Sequence, residues 1–151
     1  MKILLAIDRS KPSRDATHEV AHRPWPSPST VRILSVIQPY APPATEVVLA
    51  AATIDDIRRR QMTEAEEVTR QAGEGIAGPG LSVETSIREG DPRTEIVDAA
   101  EEWQADLIVV GSHGRTRLER LLLGSVAQAV VAHAHCSVLV VRRRRPPDNV
   151  S

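Results

Sequence analysis

The chain has 151 residues, the length of one ordinary domain, and its 41% hydrophobic content is enough to bury a core. That core must be aliphatic, because Phe is absent and Trp25, Trp103 and Tyr40 supply the only aromatic rings. The same scarcity disfavours a base-stacking nucleic-acid platform, and a net charge of -1 provides no global field to recruit nucleic acid.

The N-terminal run "MKILLAID" meets Asp8 too early to be the apolar region of a secretory signal, and the single cysteine, Cys136, cannot form an internal disulfide. Both features point to a cytoplasmic protein. In chain order, "KILLAI" reads as a first buried strand. A helix follows Ser10, with Pro12 near its first turn and Ala16 and Val20 four apart, and it ends before Pro24 and Pro26. "RILSVI" is a second strand, and the Pro-rich segment 39–45 a surface connection after it. A long helix then carries Ile54, Ile57, Ala65, Val68 and Ala72 at three-and-four spacing, with Gln61 as the one polar break, until "GPG" at Gly78 stops it.

"VETSI" is a third strand, after which Asp91 caps a helix with Pro92 in its first position and Ile96, Ala100 and Trp103 on one face. "DLIVV" is a fourth strand. Residues 121–141 contain no Asp, Glu, Lys or Arg and are long enough to span a bilayer. Gly124, Ser125, Gln128, His133, His135 and Ser137 interrupt the run, so a soluble helix with Val126, Ala129, Val130 and Ala134 along one side, followed by the strand "SVLVV", accounts for it better, and no membrane association is expected. The basic run 142–145, beside Pro146 and Pro147, reads as a solvated tail. Strands alternating with helices imply parallel pairing and a doubly wound α/β sandwich with helices on both faces.

In such sheets ligands sit beyond the carboxyl ends of the strands, where the winding direction reverses. Asp8, Val36, Gly90 and Gly111 all fall at strand ends. Glycine permits positive φ and close approach, so Gly111 and Gly114 would turn amides toward an anion. Gly124 and Ser125 stand where the last helix begins, and a helix N-terminus carries a partial positive charge of roughly half an electron. A pocket for a phosphorylated ligand, with Asp8 accepting hydrogen bonds from a ribose or base edge, explains these residues together. Glycines as ordinary turn residues and Ser125 as a plain helix cap remain open alternatives. Neither the G-x-x-x-x-G-K-[ST] nor the G-x-G-x-x-G phosphate pattern is present.

The arrangement "GSHG" followed by "GS" at residue 124 resembles the G-x2-G-x9-G-[ST] signature of ATP-binding universal stress proteins. "ILLAIDRS", "EGDPRTEIVDAAEEWQADLIVVGSHG" and "SVLVVR" are similar to the same family, so the resemblance spans residues 1–142 as one domain and leaves 143–151 as a tail. It implies a five-stranded parallel sheet in order 3-2-1-4-5, Rossmann-like. It also implies ATP across the first and fourth strands. Asp8 and Val36 would then contact adenosine, Gly111 the ribose, and Gly114, Gly124, Ser125 and Val126 the phosphates, with Mg2+ alongside. The resemblance further implies a homodimer paired through the last strand, Ser137 to Val141, and an apolar edge strand does need a partner or a cover.

Two departures stand out. The family's Asp-Gly-Ser is here Asp8-Arg9-Ser10, so Arg9 either reaches phosphate or points to solvent, and His135 and Ser137 replace the prolines that commonly flank the cysteine. Arg115, Arg117 and Arg120, against Glu119, are expected in solvent. His18 and His22 read as a surface pair rather than metal ligands, His113 as a loop-shaping residue, and Cys136 as buried structure. No residue is nominated as a hydrolytic base, so the expected function is ATP-binding regulation in the stress response with slow hydrolysis at most. The alternatives are a dimeric adaptor independent of nucleotide and a genuine ATP hydrolase.

Overall fold

The structure is a computed structural model that describes residues 1–43, 50–113 and 122–142. Its elements run β1 (Lys2–Ala6), α1 (Lys11–His22), β2 (Ser29–Ile37), α2 (Ala50–Ile76), β3 (Leu81–Glu89), α3 (Pro92–Trp103), β4 (Leu107–Gly111), α4 (Ser125–His133) and β5 (Ser137–Val141). All strands pair in parallel, in the order β3-β2-β1-β4-β5. The expected sheet order is therefore realised, with β5 forming one edge.

Strand β1 shows why the strands read as unbroken apolar runs. Ile3, Leu5 and Ile7 point to one face, where Ala16 and Val20 of α1 and Ala72 and Ile76 of α2 cover them. Leu4 and Ala6 point to the other, against Ile96, Val97 and Ala100 of α3 and Ala127 and Val130 of α4. Both faces are dry, so alternation of polar and apolar residues disappears. Each fully buried Leu, Ile or Val contributes about 1.5–3 kcal/mol, and that aliphatic burial replaces the aromatic core this composition lacks.

The helix boundaries follow local chemistry. Ser10 caps α1 by accepting a bond from the Ser13 amide, and Asp91 caps α3 by accepting one from the Arg93 amide, each with a proline in the first turn. β2 and β3 extend further than their apolar centres, because Ser29 and Leu81 open a long register that closes with Ile37 opposite Glu89. In α4 the inward residues are Ala127 and Val130, with Ala129 only half-buried. Val126 and Ala134 of the expected stripe pack against the same cluster as Val130, and Val126 also lines a cleft.

Candidate functional site

The chain winds from β1 outward through β2 to β3, then crosses to β4 and on to β5, so its direction reverses between β1 and β4. At that point, over the carboxyl ends of the strands, lies a cleft of about 380 Å³. Its size is that of a small-ligand site. Asp8, Val36, Gly111, Gly124, Ser125 and Val126 all line it. Gly114, with Arg115, Arg117, Glu119 and Arg120, lies outside the described residues, as does the segment 143–151.

Asp8 follows β1 and is held by the start of α1. Its Oδ1 accepts bonds from the Ser10 amide and the Ser13 hydroxyl, both at 2.8 Å, while Ser13 Oγ also accepts from the Asp8 amide at 2.8 Å. The carboxylate is thus fixed through one oxygen, and Oδ2 carries no hydrogen bond from the described residues. Ser13 is 6% exposed and lines the cleft as well. Sequence reasoning missed it; its only signal is its place three residues after the cap.

Val36 contributes through its backbone. Leu34 accepts a bond from the Ile7 amide at 2.9 Å, so the residue two further along directs its amide and carbonyl to the same side, where β1 has already ended. A donor and an acceptor stand side by side at the cleft wall without a partner among the described residues.

Across the cleft, α4 begins without a side-chain cap. The Gly124 amide is engaged with the Ser112 carbonyl at 2.7 Å, and the first intrahelical bond is from Gln128 to Gly124 at 3.0 Å. The amides of Ser125, Val126 and Ala127 therefore have no partner among the described residues. Gly124 thus closes the loop through its amide, and the partnerless amides at the helix start belong to the three residues after it. Its φ of -60° and ψ of 156° are extended and demand no glycine.

Gly111 differs too. It ends β4 without positive φ, and a Cβ there would lie 2.7 Å from the Pro12 carbonyl carbon. The missing side chain lets the first turn of α1 sit on β4, which holds Ser13 and hence Asp8 in place. Its amide is not turned toward an anion by left-handed backbone.

Four further polar side chains line the cleft, and of these Gln61 and Glu64 had no functional reading in the sequence. Gln61, the polar break in the α2 stripe, lines it and donates to the Gln38 carbonyl at 3.2 Å. Arg9 does not point freely to solvent: it pairs with Glu64 of α2 at 2.8 Å, and both residues line the cleft. His113 lines it with Nδ1 3.1 Å from Ser112 Oγ, and its buried Nε2 has no hydrogen-bond partner among the described residues.

Elsewhere, His18 and His22 stack on α1 with ring centroids 3.9 Å apart, and His135 lies 3.6 Å from Glu101. Among the described residues no group of three or more His, Cys, Asp or Glu side chains is placed to hold a metal ion. Cys136 is half-buried; burial, reinforced by the charge of Asp106, pushes its thiol above the usual range and makes it a poor nucleophile. No helix among the described residues is long and apolar enough to cross a membrane.

The sequence profile of the universal stress protein family matches residues 1–142. Universal stress protein YxiE of Bacillus subtilis is 33% identical over 145 residues, covering 93% of this chain and 98% of that one. Universal stress protein MJ0531 of Methanocaldococcus jannaschii is 55% identical over 64 residues, 42% of this chain and 38% of that one. The solved structure of protein MJ0577 superposes with a TM-score of 0.80 at 29% identity, covering 96% and 97% of the two chains. A universal stress protein family protein from Arabidopsis thaliana, solved with AMP bound, shares the fold at a TM-score of 0.63 and 21% identity, over 98% and 97% of the chains. Other structures of this fold hold cAMP or dAMP.

Proposed function

The chain belongs to the universal stress protein family, and from that premise we propose that it is a cytoplasmic regulatory protein of the stress response whose cleft takes ATP. The observation that carries this reading is the uncapped start of α4, where the amides of Ser125, Val126 and Ala127 face no partner among the described residues. A helix N-terminus in that state favours phosphate by dipole and by hydrogen bonding.

The rest of the cleft fits the other parts of the ligand in order. β1 lies between β2 and β4, and neighbouring strands are about 4.8 Å apart, so phosphates at α4 leave the ribose over β1 and the base over β2. Asp8 Oδ2 then accepts from ribose hydroxyls beside Gly111. The free amide and carbonyl of Val36 complement the acceptor and donor on the adenine edge. Gly114, by its place in the family signature, and Gly124 complete the loop around the phosphates with Ser125 and Val126. Magnesium would accompany the phosphates, the usual binding mode of this ion, with the Ser125 hydroxyl among the cleft oxygens that could serve as a ligand. The exposed edge of β5 supports a homodimer paired through Ser137–Val141.

Calorimetric titration of nucleotide-free protein with ATP and magnesium tests the reading. Saturable binding near one site per chain is expected, and Gly124→Val, whose backbone angles accept a β-branched residue, should abolish it while the folded circular-dichroism spectrum persists. Absence of binding by the folded wild-type protein would remove the nucleotide site and leave the dimeric adaptor.

A further inference from the structure

Arg9 occupies the position at which the chain departs from the family's Asp-Gly-Ser, and the cleft gives that departure a use. Arg9 is the only Arg or Lys among the described residues lining the cleft, against two carboxylates, Asp8 and Glu64. Its guanidinium is engaged with Glu64 at 2.8 Å, with side chains 58% and 38% exposed. Glu64 is fixed on α2 beside the buried Ala65, whereas Arg9 stands on the exposed connection between β1 and α1. Of the two side chains, the arginine is the more exposed.

An ion pair this exposed is weak, because solvent screens it and two long side chains must be ordered to make it. A phosphate group offers the guanidinium a doubly hydrogen-bonded, charge-assisted contact that is stronger than a screened carboxylate pair. Without such a ligand, the paired Glu64 offsets the one Arg or Lys charge that lines the cleft among the described residues. With it, the ligand's negative charge enters the same cleft as Glu64, and their repulsion further favours the exchange.

We propose, resting on the nucleotide reading above, that Arg9 is a phosphate-contacting residue which Glu64 holds aside in the free protein and which transfers to the ligand's phosphates on binding. Glu64 thereby lowers affinity through Arg9 as well as through its own charge.

The test is a double-mutant cycle read by calorimetric titration with two probes, ATP and adenosine, on the wild-type protein, Arg9→Gln, Glu64→Gln and the double variant. Arg9→Gln should weaken ATP binding about tenfold and leave adenosine unchanged. Glu64→Gln should tighten ATP binding roughly threefold when Arg9 is present, and most of that gain should vanish in the Arg9→Gln background. Both side chains are exposed, so the variants are expected to keep the wild-type unfolding temperature within about 2 °C.

The proposal is overturned if Arg9→Gln leaves ATP affinity unchanged, or if it weakens adenosine as much as ATP, which would make the pair a structural clasp. It is equally overturned if the gain from Glu64→Gln survives undiminished without Arg9, which would reduce Glu64 to simple repulsion. A wild-type protein that binds neither probe removes the nucleotide reading and this proposal with it. Wild-type binding with an inert Arg9 removes this proposal alone.

Discussion

Replacing Gly111 by alanine probes the contact that seats the cleft. The added methyl would stand 2.7 Å from the Pro12 carbonyl carbon and 2.8 Å from both Pro12 O and Pro12 Cβ. Relaxed carbon contacts lie near about 3.5–4.0 Å, so roughly an ångström must be opened. Two of the three atoms are backbone, and the third belongs to a closed ring; no rotamer relieves the overlap. Either the first turn of α1 lifts or the end of β4 bends, and forced overpacking of this kind costs about 1–3 kcal/mol. The opposing effect is a stiffer unfolded chain, which stabilises by about 0.4–1 kcal/mol at a position without left-handed backbone. Overpacking wins, and a net loss of about 1–2 kcal/mol corresponds to a fall in Tm of roughly 2–8 °C for a chain of this length. Thermal unfolding followed by circular dichroism reads it directly. Because Pro12 precedes Ser13, the same displacement loosens Asp8, and ATP affinity should fall in parallel. A Tm equal to or above wild type would refute the reasoning and return Gly111 to a role in ligand approach alone.

Ser13→Ala removes the hydroxyl that bonds both the amide and Oδ1 of Asp8; a stability loss of about 1–3 kcal/mol is expected, with weaker nucleotide binding, and unchanged values of both would show that Asp8 needs no such support. Asp91 should make the protein acid-sensitive in a defined window. Hydrogen bonds from Arg93 hold its carboxyl below the ordinary 3.8. A lowered folded value means that its contribution is fully present above the unfolded value and fades as pH falls through the folded one. Acid titrations of wild type and Asp91→Asn should therefore converge below about pH 3.8; a constant gap down to the most acidic point would contradict the assignment. At the sheet edge, Val141 accepts from the Ser112 amide, so the backbone of Val140 faces outward. Val140→Pro keeps an apolar side chain but deletes an outward N–H, and it should shift a dimer to monomer in sedimentation with little change in unfolding. A persistent dimer would exclude pairing through β5.

The sequence by itself determined the elements, their order and the end of the sheet where a ligand belongs. The unbroken apolar runs of β1 and β4 read as strands covered on both sides, and Ser10 and Asp91 mark helix starts through bonds that span two or three residues. Those are local constraints, and local constraints leave a trace in local sequence. The placement of Asp8, Val36 and Ser125 around one cleft followed once the family resemblance supplied the strand order, since it depends on which strand ends are adjacent. What the tertiary structure alone decided are contacts between residues distant in sequence. Gly111 is small because Pro12 lies against it, and the Gly124 amide is spent on the Ser112 carbonyl across the loop. Gln61 interrupts the apolar stripe of α2 where that stripe leaves the core and meets the cleft. Arg9 faces Glu64, more than fifty positions further along the chain. None of these leaves a periodic or neighbouring signal, because each exists only after α1, α2 and the strands have packed on one another.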